Sequence, residues 1–157
     1  MHQIVPDLFV LRGFPPYAIN VYLMGDVLLD AGTRYAGPRI LRQLRGRRVR
    51  THALTHVHAD HQGASHHLCR SLGLPLWCSA TEASAMEQGD LSQQHPRNLI
   101  TAFQERWWAG PDYPVARALR KAMWSAALPS STHPATRRAI SPTGVKRTAR
   151  SSWGMCL

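Results

Sequence analysis

The stretch Thr55-His56-Val57-His58-Ala59-Asp60-His61 constrains this chain more than any other, setting four candidate metal ligands within six residues. It sits between an apolar run and the start of a helical pattern. Arg50 to Thr55 reads as a short strand. A chain leaving a strand in extended form points residues i and i+2 to the same side, so His56 and His58 can hold one metal together. Neutral imidazole, the ligating form, is populated near physiological pH. Asp60 and His61 follow as the chain turns into a helical pattern from His61 to Leu72, which aims a carboxylate and a third imidazole at a nearby point. Two metals about 3.5–4 Å apart can share a hydroxide and clamp the oxyanion formed when it attacks a carbonyl. The donors suit Zn2+, one ion or two, with Fe or Mn chemically admissible. Nine histidines make some clustering unremarkable, but H-x-H-x-D-H at a strand-to-helix junction is far more specific than clustering.

THVHADH resembles the metal-binding signature of the metallo-β-lactamase superfamily, and the preceding NVYLMGDVLLDAGT resembles that family's early strand pair with its Asp-Ala-Gly turn. The similarity spans about residues 1 to 119. It implies that His56 and His58 bind a first metal, that Asp60 and His61 bind a second, and that Asp30 supports the ligands from behind. Read without the family, Asp30 is also a good turn former before Gly32. The implied fold is α/β: the first half of an αββα sandwich whose two similar halves pack sheet to sheet with helices outside.

A chain of 157 residues, 44% apolar, is one domain with enough material for a core. With no run of 18 apolar residues and no basic, apolar leader, the expectation is a cytoplasmic protein without a membrane span. Cys69, Cys78 and Cys156 form no C-x-x-C and read as reduced thiols. The net charge of +10 invites a nucleic-acid reading. Its distribution argues against a specific one: residues 1–119 carry twelve Lys/Arg against nine Asp/Glu, whereas residues 120–157 carry seven Lys/Arg and no acid. The expected partner is a small-molecule substrate.

Along the chain, Gln3 to Leu11 alternates as a strand broken at Pro6-Asp7, and Asn20–Met24 with Val27–Asp30 reads as a buried hairpin turning at Gly25-Asp26. Pro38 to Leu44 is an amphipathic helix ended by Gly46, and the Arg45, Arg47, Arg48, Arg50 cluster reads as a solvated helix end. His66 and His67 read as ordinary helix residues, with Gly73 as the stop. Leu74–Cys78 is a short strand, and Thr81–Gln88 and Asn98–Trp108 are helices. Phe103, Trp107 and Trp108 either line a substrate pocket or pack their helix onto the domain. Val115 to Leu119 reads as a short helix.

Residues 120–157 form a separate basic tail, expected to be irregular. Its Ser, Thr, Arg, Pro and Ala without periodicity are what GC-rich DNA yields in a wrong frame. With GC-favoured codons, a one-base shift near Arg120–Lys121 can yield a Gly-rich turn carrying a histidine and, later, a Gly-Asp pair, two of the three further ligands that the family pattern supplies. His133 lacks such a turn and is not counted as a ligand.

The combined expectation is a metal-dependent hydrolase, similar to glyoxalase II-like enzymes, in which metal-bound hydroxide attacks an ester, thioester or lactam-type carbonyl and Asp60 handles the proton of that water. As written, the chain is expected to be truncated and weakly active or inactive. The alternatives are a persulfide dioxygenase-like iron oxidoreductase on the same scaffold and a non-enzymatic basic remnant.

Overall fold

Residues 1–16, 18–89 and 98–120 are described by the structure, a computed structural model. The alternating N-terminal segments form an antiparallel meander. Strands β1 (His2–Val5) and β2 (Leu8–Leu11) turn at Asp7, and β3 (Val21–Met24) and β4 (Val27–Leu29) turn at Gly25, both with positive φ. From β4 onward the neighbours are parallel: β5 (Thr51–Ala53), β6 (Leu76–Ser79) and β7 (Val115–Leu119) complete a seven-stranded sheet in the order β1 to β7. Parallel neighbours require crossovers. These contain α1 (Gly37–Gln43), then α2 (Ala59–Gln62) and α3 (Ser65–Leu72), then α4 (Ala83–Gln88) and α5 (Leu99–Trp108).

One sheet face carries the core. Val21 and Leu23 of β3 are buried while Tyr22 and Met24 are half-buried, and β6 repeats the pattern with Leu76 and Cys78 against Trp77 and Ser79. Ile40 of α1 and Leu68 of α3 pack on Leu11, Val21, Leu23 and Leu28, while Cys69 of α3 and Met86 of α4 pack on Leu76 and Cys78. Helix α3 therefore joins two apolar clusters; fully burying a leucine such as Leu68 contributes roughly 1.5–3 kcal/mol. This single mixed sheet with helices is the expected α/β half-sandwich.

Two expectations need correction. The helix expected from His61 to Leu72 is two, α2 and α3, separated at Gly63-Ala64. Gly63 lies where the backbones of Thr33, Arg34 and Trp108 press in, leaving no room for a Cβ. Val115–Leu119 is not a helix but β7, pairing Leu76 with Val115 and Cys78 with Ala118. Five residues cannot sustain an isolated helix, whereas the edge of β6 offers a ready ladder. The expected irregular or frameshifted tail lies, beyond Arg120, outside the described residues.

Candidate metal centre

Asp30 leaves the end of β4 with φ +62, a conformation aspartate tolerates better than most residues, and its buried carboxylate points at the segment after β5. Both strands are parallel here, so the site occupies the crevice beyond their carboxyl ends, the usual ligand position in α/β sheets. The Thr55 backbone N–H donates to Asp30 Oδ1 at 2.8 Å, and the Thr55 hydroxyl lies 3.0 and 2.9 Å from the two carboxylate oxygens. His61 Nδ1 lies 3.0 Å from Asp30 Oδ2, and His56 Nδ1 lies 2.8 Å from Thr55 Oγ1.

Donor and acceptor arithmetic then fixes two tautomers. A carboxylate only accepts, so the Thr55 hydroxyl and His61 Nδ1–H both donate to Asp30. With its one proton committed, the Thr55 oxygen accepts from His56 Nδ1–H. Both imidazoles thereby carry their lone pair on Nε2, the arrangement in which an outer partner orients a metal-binding histidine.

The structure brings together all four residues of the signature. His56 packs ring to ring with His58 at 4.3 Å and with His61 at 3.9 Å between centroids. Asp60 Oδ2 is 3.7 Å from His61 Nε2. His58 is extended and opens α2, its carbonyl accepting from the backbone N–H groups of His61 and Gln62 at 2.9 Å. Burial pulls the His61 pKa down, but the Asp30 hydrogen bond and the charges of Asp30 and Asp60 outweigh it, and the net shift is upward. The donor set fits zinc in kind: three imidazoles and a carboxylate, two of the rings oriented from behind. In the packed arrangement, however, no group of three or more His, Cys, Asp or Glu among the described residues is placed to hold an ion, so uptake requires these side chains to repack.

Two clefts flank the cluster. One, of about 610 Å³, is lined by Asp60 and Trp108 together with Phe14, Ile19 and Tyr35. Trp108 also packs against the second apolar cluster. Trp107 is not among the described residues of that lining; it is half-exposed and stacks on Phe103 at 6.2 Å. The other cleft, of about 580 Å³, is lined by Thr55, His56, Ser79, Thr81, Glu82 and Arg120. Burial raises the Glu82 pKa, opposed by a hydrogen bond with the Val57 backbone.

His66 and His67 stand apart from the cluster in their contacts: His66 Nδ1 holds the Asp112 carbonyl at 2.8 Å, and the His67 ring lies against Gly37. The buried Cys69 and Cys78 thiols are both pushed up to about 12, by burial above all, and so remain protonated. Sequence reasoning missed three residues. Thr55 is the relay between Asp30 and His56, and its place directly before the first histidine was the available signal. Nothing in the local pattern distinguished Glu82 from an ordinary residue at a helix start. His52 is fully buried, bridging the Leu28 carbonyl at 3.0 Å and Ser65 Oγ at 2.9 Å, and its strand position facing the helices was the clue.

The sequence profile of the Metallo-beta-lactamase superfamily matches residues 14–136. Curated protein sequences yield no match. Among solved structures, the chain is similar to the metallo-beta-lactamase MIM-1 from Novosphingobium pentaromativorans, with 25% identity, a TM-score of 0.63, and 76% of this chain and 44% of that one covered. It is similar also to the class B3 di-zinc metallo-beta-lactamase LRA-12 from an Alaskan soil metagenome, with 18% identity, a TM-score of 0.61, and 76% and 45% covered. BJP-1, a subclass B3 metallo-beta-lactamase of Bradyrhizobium japonicum, gives 20% identity, a TM-score of 0.59, and 74% and 44% covered. The chain thus spans less than half the length of the structures it matches. With the profile covering most of the sequence, the H-x-H-x-D-H segment included, and the fold shared over 76% of the chain, this chain belongs to the metallo-beta-lactamase superfamily.

Proposed function

We propose that this chain carries the N-terminal part of a metal-dependent hydrolase site acting on an ester, thioester or lactam-type carbonyl of a small molecule. One observation carries the reading: the Asp30 carboxylate holds His61 through Nδ1 directly and His56 through the Thr55 hydroxyl, which makes Nε2 the lone-pair atom of each neutral ring. A turn former would have no need of two histidines. Bound zinc supplies Lewis acidity, lowering the pKa of water towards about 7 and polarising a carbonyl. His56, His58, Asp60 and His61 are the residues to hold it. Asp60, which lines the aromatic cleft together with Trp108, is the residue that would accept and return the proton of the attacking water. The di-zinc centre named for LRA-12 supports zinc over iron.

The test is zinc content and zinc-dependent thermal stabilisation of the full chain, alongside a panel of ester, thioester and lactam substrates. Wild type should retain zinc after gel filtration, and His58→Ala should lose both the metal and any hydrolysis. Iron content with oxygen consumption would instead indicate the dioxygenase reading. Absence of zinc uptake at micromolar concentration would sink the proposal. We further propose that the remaining ligands are encoded one base out of frame beyond Leu119, which resequencing across the codons for Leu119 to Ala122 decides directly.

A further inference from the structure

The aromatic cleft beside Asp60 contains one cation among its described lining residues, Arg39. Its Nε is buried and finds no hydrogen-bond partner, and Arg39 forms no ion pair among the described residues. A guanidinium is always charged and its N–H fork matches a carboxylate, so Arg39 lines the cleft with its charge unpaired and its Nε donor unsatisfied among the described residues. Around it the walls are apolar: Phe14 and Tyr35 are largely exposed at the mouth, and Ile19 and Trp108 line the cleft. Asp60 is the acidic group of that lining.

We infer that Arg39 is the anion-recognising residue of this cleft, and that the molecule held there carries a carboxylate and an apolar, preferably aromatic, body. The apolar body would lie against Trp108 and Tyr35, with the carboxylate on Arg39 and the bond to be cut near Asp60. The inference rests on the hydrolase reading for the bond that is cut, and on the cleft alone for the group that is held. Among the described residues no carboxylate pairs with Arg39. Asp60 is not within ion-pairing distance of it. The Arg39 backbone is fixed independently, its carbonyl accepting from Gln43 Nε2 at 3.4 Å within α1, so side-chain substitution leaves the helix in place.

The experiment uses the full chain with chelator present, so that a carboxylate cannot bind through a metal and failure of the hydrolase reading leaves the result legible. Binding of 4-phenylbutyrate and of its amide, 4-phenylbutyramide, is compared by ligand-observed NMR. Wild type should prefer the carboxylate by about tenfold, a charge-assisted contact against a neutral one. Arg39→Gln should abolish that preference while leaving amide binding unchanged, and Arg39→Lys, which keeps the charge but not the fork, should retain part of it. Equal binding of acid and amide by wild type overturns the inference, as does a preference that survives in Arg39→Gln. If Arg39→Gln fails to fold, Arg39→Lys together with the wild-type pair decides: undiminished preference in the lysine variant, or none in wild type, also overturns it.

Discussion

Gly63 and Gly110 meet backbone to backbone: a Cβ on Gly110 would overlap the Gly63 carbonyl, and a Cβ on Gly63 would strike Trp108 and the Thr33–Arg34 peptide. This contact seats the end of α5 on the loop that follows Asp30, where the Arg34 N–H donates to the Trp108 carbonyl at 2.8 Å. Backbone cannot yield as a side-chain tip can. Gly63→Ala and Gly110→Ala are each expected to destabilise the fold by about 1–3 kcal/mol, the usual cost of overpacking, and to loosen α5. Urea unfolding measures this, and a loss under about 0.5 kcal/mol, the range of neutral surface changes, would contradict the crossing.

Asp30→Asn isolates the carboxylate from its backbone, because asparagine also tolerates positive φ. The amide keeps one acceptor but loses the charge and presents donors to groups that already donate. An expected stability loss of about 1.5–3 kcal/mol accompanies roughly 10–100-fold weaker zinc binding. Calorimetric zinc titration reads the second number. Unchanged affinity would reduce Asp30 to the turn former that its position before Gly32 also allowed.

Much of this was legible in the sequence, and the misses have physical causes. The clustering of His56, His58, Asp60 and His61 was legible because extended chain followed by helix is a local geometry. The hairpin at Gly25 was equally local. Val115–Leu119 was misread because its strand character comes from the β6 edge, a partner distant in the chain. The division of the His61–Leu72 helix was hidden for the same reason, since Gly63 meets residues thirty positions before it and more than forty after. Thr55 and His52 acquire their roles only from Asp30, Leu28 and Ser65, which no periodicity relates to them.

His52 makes stability depend on pH. Burial lowers its pKa from 6.5, opposed by the Leu28 carbonyl and the Asp30 charge. The unfolded chain then binds more protons than the folded one as pH falls below 6.5, so the stability tied to neutral His52 is full above that pH and is lost towards its lower folded pKa. His61 runs oppositely. Its shift is upward, so its contribution is full below 6.5 and fades as pH rises through its folded pKa. Urea denaturation at pH 8, 6.5 and 5.5 should show a His52→Leu variant that is weaker at pH 8 by about 1–3 kcal/mol, having orphaned Leu28 O and Ser65 Oγ. Its acid-side slope should also be shallower than wild type, and an unchanged slope would remove His52 as the titrating group.

Trp107 and Trp108 should separate cleanly. Trp107 touches Phe103 on an exposed face, whereas Trp108 both lines the Asp60 cleft and packs on the second apolar cluster. Trp107→Ala should cost about 0.5–1 kcal/mol, the scale of one aromatic pair, and leave ligand binding intact. Trp108→Ala should cost more than about 2 kcal/mol and weaken 4-phenylbutyrate binding. Equal effects on binding would mean that both rings serve the cleft.

The sheet changes character at β4, antiparallel before it and parallel after it, and this has a consequence in time. Hairpins close over short loops, while each parallel pairing must wait for a crossover of a dozen or more residues. Asp30 directly follows the last strand of the meander, and Thr55 and His61 follow the first strand beyond it. The candidate centre therefore straddles the seam between what forms early and what forms late, and an occupied centre would report that both halves of the sheet have been joined.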